Sequence, residues 1–221
     1  MFSKAASPLL NTLIEQTKNT IHLCRPTIIN PNSSKGREAL NQLISQKPEL
    51  QVFDTIQEQL IELVKCLKPK LSAQSKKEIE AAVIEQLDGI KPDEYGVWVY
   101  YPWSNKLVHI LDEEEFIMVR TNRNKYKITE KEQQTLATKK VGVIGLSVGQ
   151  SVSLTLAMER GFGELRIADF DNIDLSNINR IRTGVHHIGL KKTVIVAREI
   201  AEIDPFLRVA CYEEGVTDEN I

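Results

Sequence analysis

The sequence predicts an α/β protein in which a partial parallel sheet of about three strands follows a helical and β-hairpin region. Two observations predict this class. Short apolar strands alternate with helical segments over residues 140–212, which is typical of a parallel sheet. An aromatic, β-branched stretch at 97–111 precedes them and indicates a hairpin. We place the boundary near Asn122, with an accessory α+β region at 1–122 and an α/β domain at 123–221.

Bulk composition limits the function classes. The 221 residues are 42% hydrophobic and 26% charged, which is ordinary for a globular protein that can bury a core. A formal net charge of −2 and the lack of a long Lys/Arg run predict no nucleic-acid partner. No apolar run reaches the roughly 18 residues of a membrane span, and the start has no signal-peptide pattern. We therefore expect no membrane association and no secretion.

The number and spacing of the cysteines also indicate where the protein is located in the cell. Cys24, Cys66 and Cys211 are odd in number and far apart, so they predict neither a disulfide framework nor a zinc site. A reducing cytoplasm is the expected location. Cys211 lies on a strand that is expected to be buried, so we predict that it is inert.

The first half of the accessory region predicts helices. Residues 1–50 are expected to form a helix, a loop and a short helix, because apolar positions near Leu9 are followed by breakers from Pro26 onward. Asp54 is predicted to open a strongly amphipathic helix that ends at Pro69, with Gln57 completing a capping box. Further capping pairs are Ser75 with Glu78, Asp112 with Glu115, and Thr129 with Glu132.

Residues 97–111 predict a β-hairpin with a medium loop. The aromatic side chains could form a stacking surface, but aromatic strands more often bury one face against a helix, and we favour burial. His109 has no second His or Cys at ligand spacing, so it is interpreted as a strand histidine and not as a metal ligand.

A glycine turn follows the first strand of the parallel sheet. The strand at Val141–Ile144 runs into Gly145, and a helix is expected over 151–160. Free backbone N–H groups at such a helix start attract an anion such as phosphate. Ser147 stands where G-x-G-x-x-G has its second glycine, and Gly149 is one place early. By itself the turn fits a nucleotide site and a packing corner equally well.

The second strand ends at an acidic residue. Leu165–Ala168 leads to Asp169, about 20 residues after the glycines, where a Rossmann-like dinucleotide fold binds a ribose hydroxyl. A helix is expected from Lys192 to Ile203, and a third strand at 207–210. The long polar loop between Asp169 and Lys192 is not one that a dehydrogenase needs.

This loop resembles the ThiF/MoeB family, the ATP-dependent adenylating enzymes that include the ubiquitin-activating ones. The resemblance rests on D-x-D at 169–171, on L-S-N-x-x-R at 175–180, and on a lysine shortly after Gly189. It implies that Asp169 binds the ATP ribose and that Asn177, Arg180 and Lys192 bind the phosphates. The implied nucleotide-binding residues are Gly145, Ser147, Gly149, Asp169, Asp171 and Asn177, and the implied catalytic residues are Arg123, Arg180 and Lys192.

The lead-in to the domain also resembles this family. Arg123-Asn124 followed by Ile128-Thr129 is similar to a family segment whose arginine reaches an ATP phosphate, often in a partner subunit, which implies a homodimer. The upstream region looks like ThiF-type proteins that continue into a nitroreductase-like domain. Because three strands leave a sheet edge unpaired, we expect an N-terminal piece of a longer protein, silent in catalysis by itself.

The resemblance implies a reaction. A carboxylate at the C-terminus of a small protein, or in a small acid, would attack ATP bound with magnesium and form an acyl-adenylate with release of pyrophosphate. One alternative is a nucleotide-binding or scaffolding module without turnover, and another is an NAD-binding oxidoreductase domain. Taken singly, Asp169 could cap a turn, Arg180 could be a solvated charge, and Lys192 could simply begin a helix.

Overall fold

The structure is a computed structural model that describes residues 7–219 and divides into two compact units. One unit is Pro26–Thr135, and the other joins the residues up to Arg25 with those from Leu136 onward. This division by packing differs from the boundary near Asn122, which stays a prediction about where the nucleotide domain begins.

The helices and strands alternate along most of the chain. The helices are α1 (Pro8–Lys18), α2 (Ser34–Gln46), α3 (Ile56–Leu67), α4 (Lys76–Leu87), α5 (Glu113–Thr121), α6 (Glu130–Leu136), α7 (Leu146–Glu159) and α8 (Lys192–Ile203). The strands are β1 (Thr27–Ile29), β2 (Gln51–Asp54), β3 (Val97–Tyr101), β4 (Lys106–Ile110), β5 (Lys140–Ile144), β6 (Glu164–Ala168) and β7 (Arg208–Tyr212).

The unit at 26–135 contains a mixed sheet in the order β1-β3-β4-β2. The predicted hairpin is confirmed, because β3 and β4 are antiparallel with Val97 opposite Ile110. Short strands β1 and β2 extend it on either side, β1 antiparallel to β3 and β2 parallel to β4. The sequence analysis missed both, because their residues are mostly exposed and lack an apolar run.

The aromatic strand is buried, as favoured. All five residues of β3 are buried, and Trp98 and Tyr100 pack with Leu107 against α2. A second apolar cluster joins α3, α4 and α5 around Tyr95 and Leu111. The aromatic side chains therefore form a core and not a stacking surface.

His109 links the sheet to the start of α3. Its buried ring stacks on Trp98 with centroids 4.2 Å apart, and its Nδ1 and Nε2 lie 2.9 Å from Asp54 Oδ1 and 2.6 Å from Tyr95 O. Asp54 therefore ends β2 and does not open the helix. The predicted capping box with Gln57 is wrong, because α3 begins at Ile56 without a side-chain cap.

The other three capping predictions are confirmed, and each of these caps joins residues three positions apart. Ser75 and Glu78 form a reciprocal capping box at the start of α4. Asp112 accepts a hydrogen bond from Glu115 N at 3.0 Å. Thr129 N donates to Glu132 Oε2 at 2.7 Å before α6.

The second unit contains the predicted partial parallel sheet, in the order β5-β6-β7. Ile144 lies opposite Ala168, which lies opposite Tyr212, so the three carboxyl ends are level. Helices α7 and α8 pack on one face around a core that includes Phe162, Leu165, Ile167 and Ile200. The sheet thus brings the loops after its strands to one edge.

Two of the three predicted element boundaries shift. Helix α8 spans Lys192–Ile203 as predicted, but α7 begins at Leu146 and not at Ser151. Ser147 and Gly149 therefore lie in the first turn of α7. Strand β7 continues through Tyr212 and so includes Cys211.

Within the part of the chain that the structure describes, no helix combines the length and the apolar character needed to cross a membrane.

Candidate functional site

The glycine turn at Gly145 aims the start of α7 at the carboxyl ends of β5 and β6. Gly145 has a φ of +82°, a conformation that L side chains rarely adopt, so glycine is required there. Its N–H donates to Ala168 O at 2.8 Å, and the next N–H, of Leu146, donates to Asp169 Oδ2 at 2.6 Å. The turn is thereby fixed to the end of the neighbouring strand.

Gly149 is a packing glycine. A Cβ built on it would lie 2.6 Å from Cγ1 of Val143, so α7 approaches β5 as closely as a glycine allows. The dinucleotide pattern has its packing glycine one position later, where this chain has Gln150. The shifted glycine therefore performs the close-packing role.

Gln150, in α7, connects this helix to the long loop after β6 and to α8. Its side chain is 2% exposed, and its Nε2 donates to Arg182 O at 2.9 Å and to Glu199 Oε2 at 2.7 Å. Burial raises the pKa of the Glu199 carboxyl, which the Gln150 hydrogen bond opposes. The sequence analysis gave Gln150 no role, because nothing in its local sequence predicts these distant partners.

Asp169 is a buried carboxylate that organises this edge of the sheet. Besides accepting the Leu146 N–H, it accepts the N–H of Asp171 at Oδ1, 2.8 Å away. A buried carboxylate needs such donors, because leaving it unpaired costs several kcal/mol (~3 or more). Asp169 thus joins the glycine turn to the loop after β6.

Lys192 brings a buried cation to the same place. It is 4% exposed, and its Nζ lies 2.6 Å from Asp171 Oδ2, 3.8 Å from Asp169 Oδ1 and 3.5 Å from Ser147 Oγ. The cluster therefore places one ammonium group between two carboxylates beside the positive end of the α7 dipole. Four positions chosen from sequence motifs, Ser147, Asp169, Asp171 and Lys192, thus meet at one point.

A cavity of about 600 Å³ opens beside this cluster. It lies at the carboxyl ends of the parallel strands, which is where open α/β sheets bind ligands. Its lining residues are Ile144, Gly145, Ser147, Val148, Ala168, Asp169, Phe170, Asp171, Glu214, Gly215 and Val216.

Lys192, Asn177 and Arg180 are not among the residues that line this cavity. Asn177 is buried, and its Oδ1 accepts from Asp174 N at 3.1 Å in a reciprocal cap of the 3₁₀ turn at Leu175–Asn179. Arg180 is exposed and donates to Asn179 Oδ1 at 2.9 Å. The structure therefore gives Asn177 a loop-shaping role and keeps Arg180 within its own loop.

Arg123 belongs to the unit at 26–135. It lines a shallow pocket of about 370 Å³ with residues that include Gln59, Glu62 and Phe116. Its approach to the nucleotide stays a prediction.

The carboxylates at the cavity do not fit a magnesium site. Asp169 is occupied by two backbone N–H groups, and the Oδ2 of Asp171 is paired with Lys192. Across residues 7–219, no three His, Cys, Asp or Glu side chains are grouped so that they could hold a metal ion.

Comparison with known families addresses the segment that contains this cavity. Residues 120–221 match the ThiF family model. This segment of the chain is therefore similar to the ThiF family. The matched residues include the glycine turn, Asp169, the long loop and Lys192. They therefore contain the motifs on which the sequence resemblance rests.

Individual relatives cover less of the chain. An uncharacterized protein of Mycobacterium tuberculosis is 46% identical over 147 residues, which is 62% of this chain and 21% of that protein. Ubiquitin-like modifier-activating enzyme 5 of Drosophila virilis is 28% identical over 87 residues, 39% of this chain and 22% of that enzyme. The chain spans about a fifth of the length of these curated relatives.

Among solved structures, the E. coli tRNA N6-threonylcarbamoyladenosine dehydratase TcdA, in complex with AMP, is 29% identical. The alignment covers 46% of this chain and 42% of that chain with a TM-score of 0.43.

Proposed function

We propose that the ThiF domain binds ATP and serves an adenylating enzyme, in which a carboxylate attacks the α-phosphorus and pyrophosphate leaves. The observation that carries this proposal is the position of Lys192. Its buried ammonium group lies 3.5 Å from Ser147 Oγ in the first turn of α7 and 2.6 Å from Asp171 Oδ2, and both of these residues line the cavity where the parallel strands end. A phosphate there would meet both the lysine and free N–H groups of the helix start.

We assign each residue of the cluster a separate role in binding ATP. Lys192 would bind phosphate oxygens and stabilise the charge that grows on them in the transition state, which is where a rate gain arises. The serine at 147 would add a hydroxyl at the approach to the phosphates. Asp169, on the cavity wall, would bind the ribose by an oxygen lone pair that its two N–H partners leave free.

Arg180 and Asn177 would act from the long loop. Arg180 is exposed, and its hydrogen bonds go only to neighbours in its own loop, so a bound polyphosphate can draw it inward at small cost. Asn177 holds the loop turn in shape. Magnesium would arrive with the ATP phosphates, because the cavity carboxylates are already paired.

The acceptor is a carboxylate of a small protein C-terminus or of a small acid. The enzyme would work as a homodimer in the cytoplasm. A nucleotide-binding module without turnover is the second candidate, and one observation favours it: Arg180 and Asn177 are both engaged within the loop and not at the cavity.

Calorimetry with ATP and with NAD tests the proposal. We expect ATP to bind and NAD to bind at least 10-fold more weakly, and we expect Lys192→Ala to lower ATP affinity roughly 10-fold or more, since a charge-assisted phosphate bond is lost. Lys140→Ala is the matched control, because Lys140 is an exposed strand residue whose nearest carboxylate, on Glu164, is 3.9 Å away.

The outcomes separate the candidates. ATP binding with ATP–pyrophosphate exchange by the full-length protein in the presence of acceptor supports the adenylating enzyme, whereas binding without exchange by the full-length protein supports the module. NAD binding in preference to ATP would overturn both.

A further inference from the structure

Two cysteines from opposite ends of the chain lie side by side. Cys24 and Cys211 both pack against the core under the parallel sheet, and their thiols lie close enough to interact, while the Sγ of Cys211 also donates to Thr193 O at 3.8 Å. Both are free thiols and partly accessible. The two cysteines are far apart along the chain, and they share one core because the fold returns residues 7–25 to the C-terminal unit.

The segment before Cys24 is held in place by α8. The buried guanidinium of Arg198 donates to Leu23 O at 2.8 Å and to Thr20 O at 2.9 Å. These bonds satisfy carbonyls just past the end of α1 and keep Cys24 against β7, the strand of Cys211. The pairing is therefore built into the packing of this unit.

The surroundings make the two thiols unequal. The hydrogen bond from Cys211, helped by the charges of Arg25 and Arg198, lowers the pKa of Cys24 to about 7 against the opposing effect of burial. The same bond, together with burial, raises the pKa of Cys211. Burial also raises the pKa of Cys66. Cys24 is thus the thiol with most thiolate at neutral pH, and the thiolate is the reactive form.

We propose that Cys24 and Cys211 form a redox pair that closes to a disulfide when a peroxide oxidises the protein. The Cys24 thiolate attacks one oxygen of hydrogen peroxide, the O–O bond breaks, and a sulfenic acid and hydroxide form. Cys211 then attacks the Cys24 sulfur, the S–S bond forms, and the displaced hydroxyl and the Cys211 proton leave as water. The two thiols lose two electrons, and peroxide is reduced to two waters.

The disulfide would fasten the segment at 7–25 to β7. This strand leads directly to Glu214 and Gly215, which line the cavity. Because the bond closes a loop of most of the chain, it restricts the unfolded state strongly. We expect oxidation to raise Tm by an amount on the order of 5 °C or more.

Peroxide treatment followed by alkylation and tryptic mass spectrometry tests the pairing. We expect the peptide 19–35 and the peptide that begins at Val209 to appear as one linked species, and a dithiol reductant to separate them. Cys66→Ala should leave this species unchanged, whereas Cys24→Ser and Cys211→Ser should each abolish it. Circular dichroism of each variant confirms folding.

The reduced protein gives a second, independent readout. Iodoacetamide should modify Cys24 at least several-fold faster than Cys66 at pH 7, and the difference should shrink in Cys211→Ala. Consumption of Cys24 by peroxide without the linked peptide, or a link that involves Cys66, would overturn the proposal.

Discussion

At the scale of single residues, Gly149 shows how a departure from a motif is accommodated. The helix comes so close to β5 that a Cβ at 149 would meet Val143 Cγ1 at 2.6 Å. The motif's packing glycine is thus shifted by one position, and Gln150 uses its own position to bridge to Glu199. The turn keeps its shape because the close contact, and not the spacing of the letters, is preserved.

We expect Gly149→Ala to lower the free energy of unfolding by about 1–3 kcal/mol, because Val143 or the helix must move to admit the methyl group. Denaturant unfolding followed by circular dichroism measures the change. Gly142→Ala is the matched control, since a Cβ there meets nothing within 4 Å.

A second variant isolates the contact. Val143→Ala in the Gly149→Ala background should recover part of the loss, because it removes the obstructing methyl group. Equal destabilisation by Gly142→Ala and Gly149→Ala would contradict the packing explanation.

At the scale of elements, α8 connects the site to the N-terminal segment. Its first residue, Lys192, supplies the buried cation, and two turns later Arg198 holds the carbonyls of Thr20 and Leu23. The helix is buried along most of its length. It therefore fixes the position of both features relative to the sheet.

We expect Arg198→Ala to speed hydrogen exchange of the amides at 20–23 roughly 10-fold or more, because several carbonyls lose a charged donor worth about 1.5–3 kcal/mol. Exchange measured by mass spectrometry reports it. Arg208→Ala, at an exposed position of β7, should leave this segment unchanged.

If Arg198→Ala alters hydrogen exchange only across the parallel sheet and not at residues 20–23, then Arg198 does not hold the N-terminal segment in place. In that case the arginine would stabilise α8 itself.

At the scale of the whole molecule, the cavity at the ends of the parallel strands and Arg123 belong to different units. The family resemblance places such an arginine at an ATP phosphate, often across a two-fold interface. In a C2 dimer one arginine from each chain can complete both sites. The homodimer follows from this interpretation and stays a prediction.

We expect Arg123→Ala in the full-length protein to reduce adenylation by a factor on the order of 100 or more, since one transition-state donor is lost. Arg180→Ala should reduce it similarly. Mixing the two variants should restore activity, because a mixed dimer keeps one site with both arginines, and ATP–pyrophosphate exchange measures the recovery.

The control is a mixture of each variant with itself, and mixed dimers are verified by mass spectrometry of differently tagged chains. If verified mixed dimers stay as inactive as the parents, Arg123 acts within its own chain or has no part in the reaction.

The sequence by itself determined the features that depend on near neighbours. Local capping pairs such as Ser75 with Glu78, the hairpin of β3 and β4, and the bounds of α8 follow from hydrogen bonds and periodicity within a few residues. The order of motifs from Gly145 to Lys192 also indicated the ThiF family, because these motifs resemble those of the family in type and in order along the chain.

Only the tertiary structure decided what depends on distant partners. Asp54 ends a strand because His109 engages its carboxylate from the neighbouring strand, and Gln150 bridges to Glu199 on another helix. Cys24 meets Cys211 because the chain's first segment packs on its last strand. Such contacts join residues far apart in sequence, and local propensity carries no information about which of them the packing of the core will bring together.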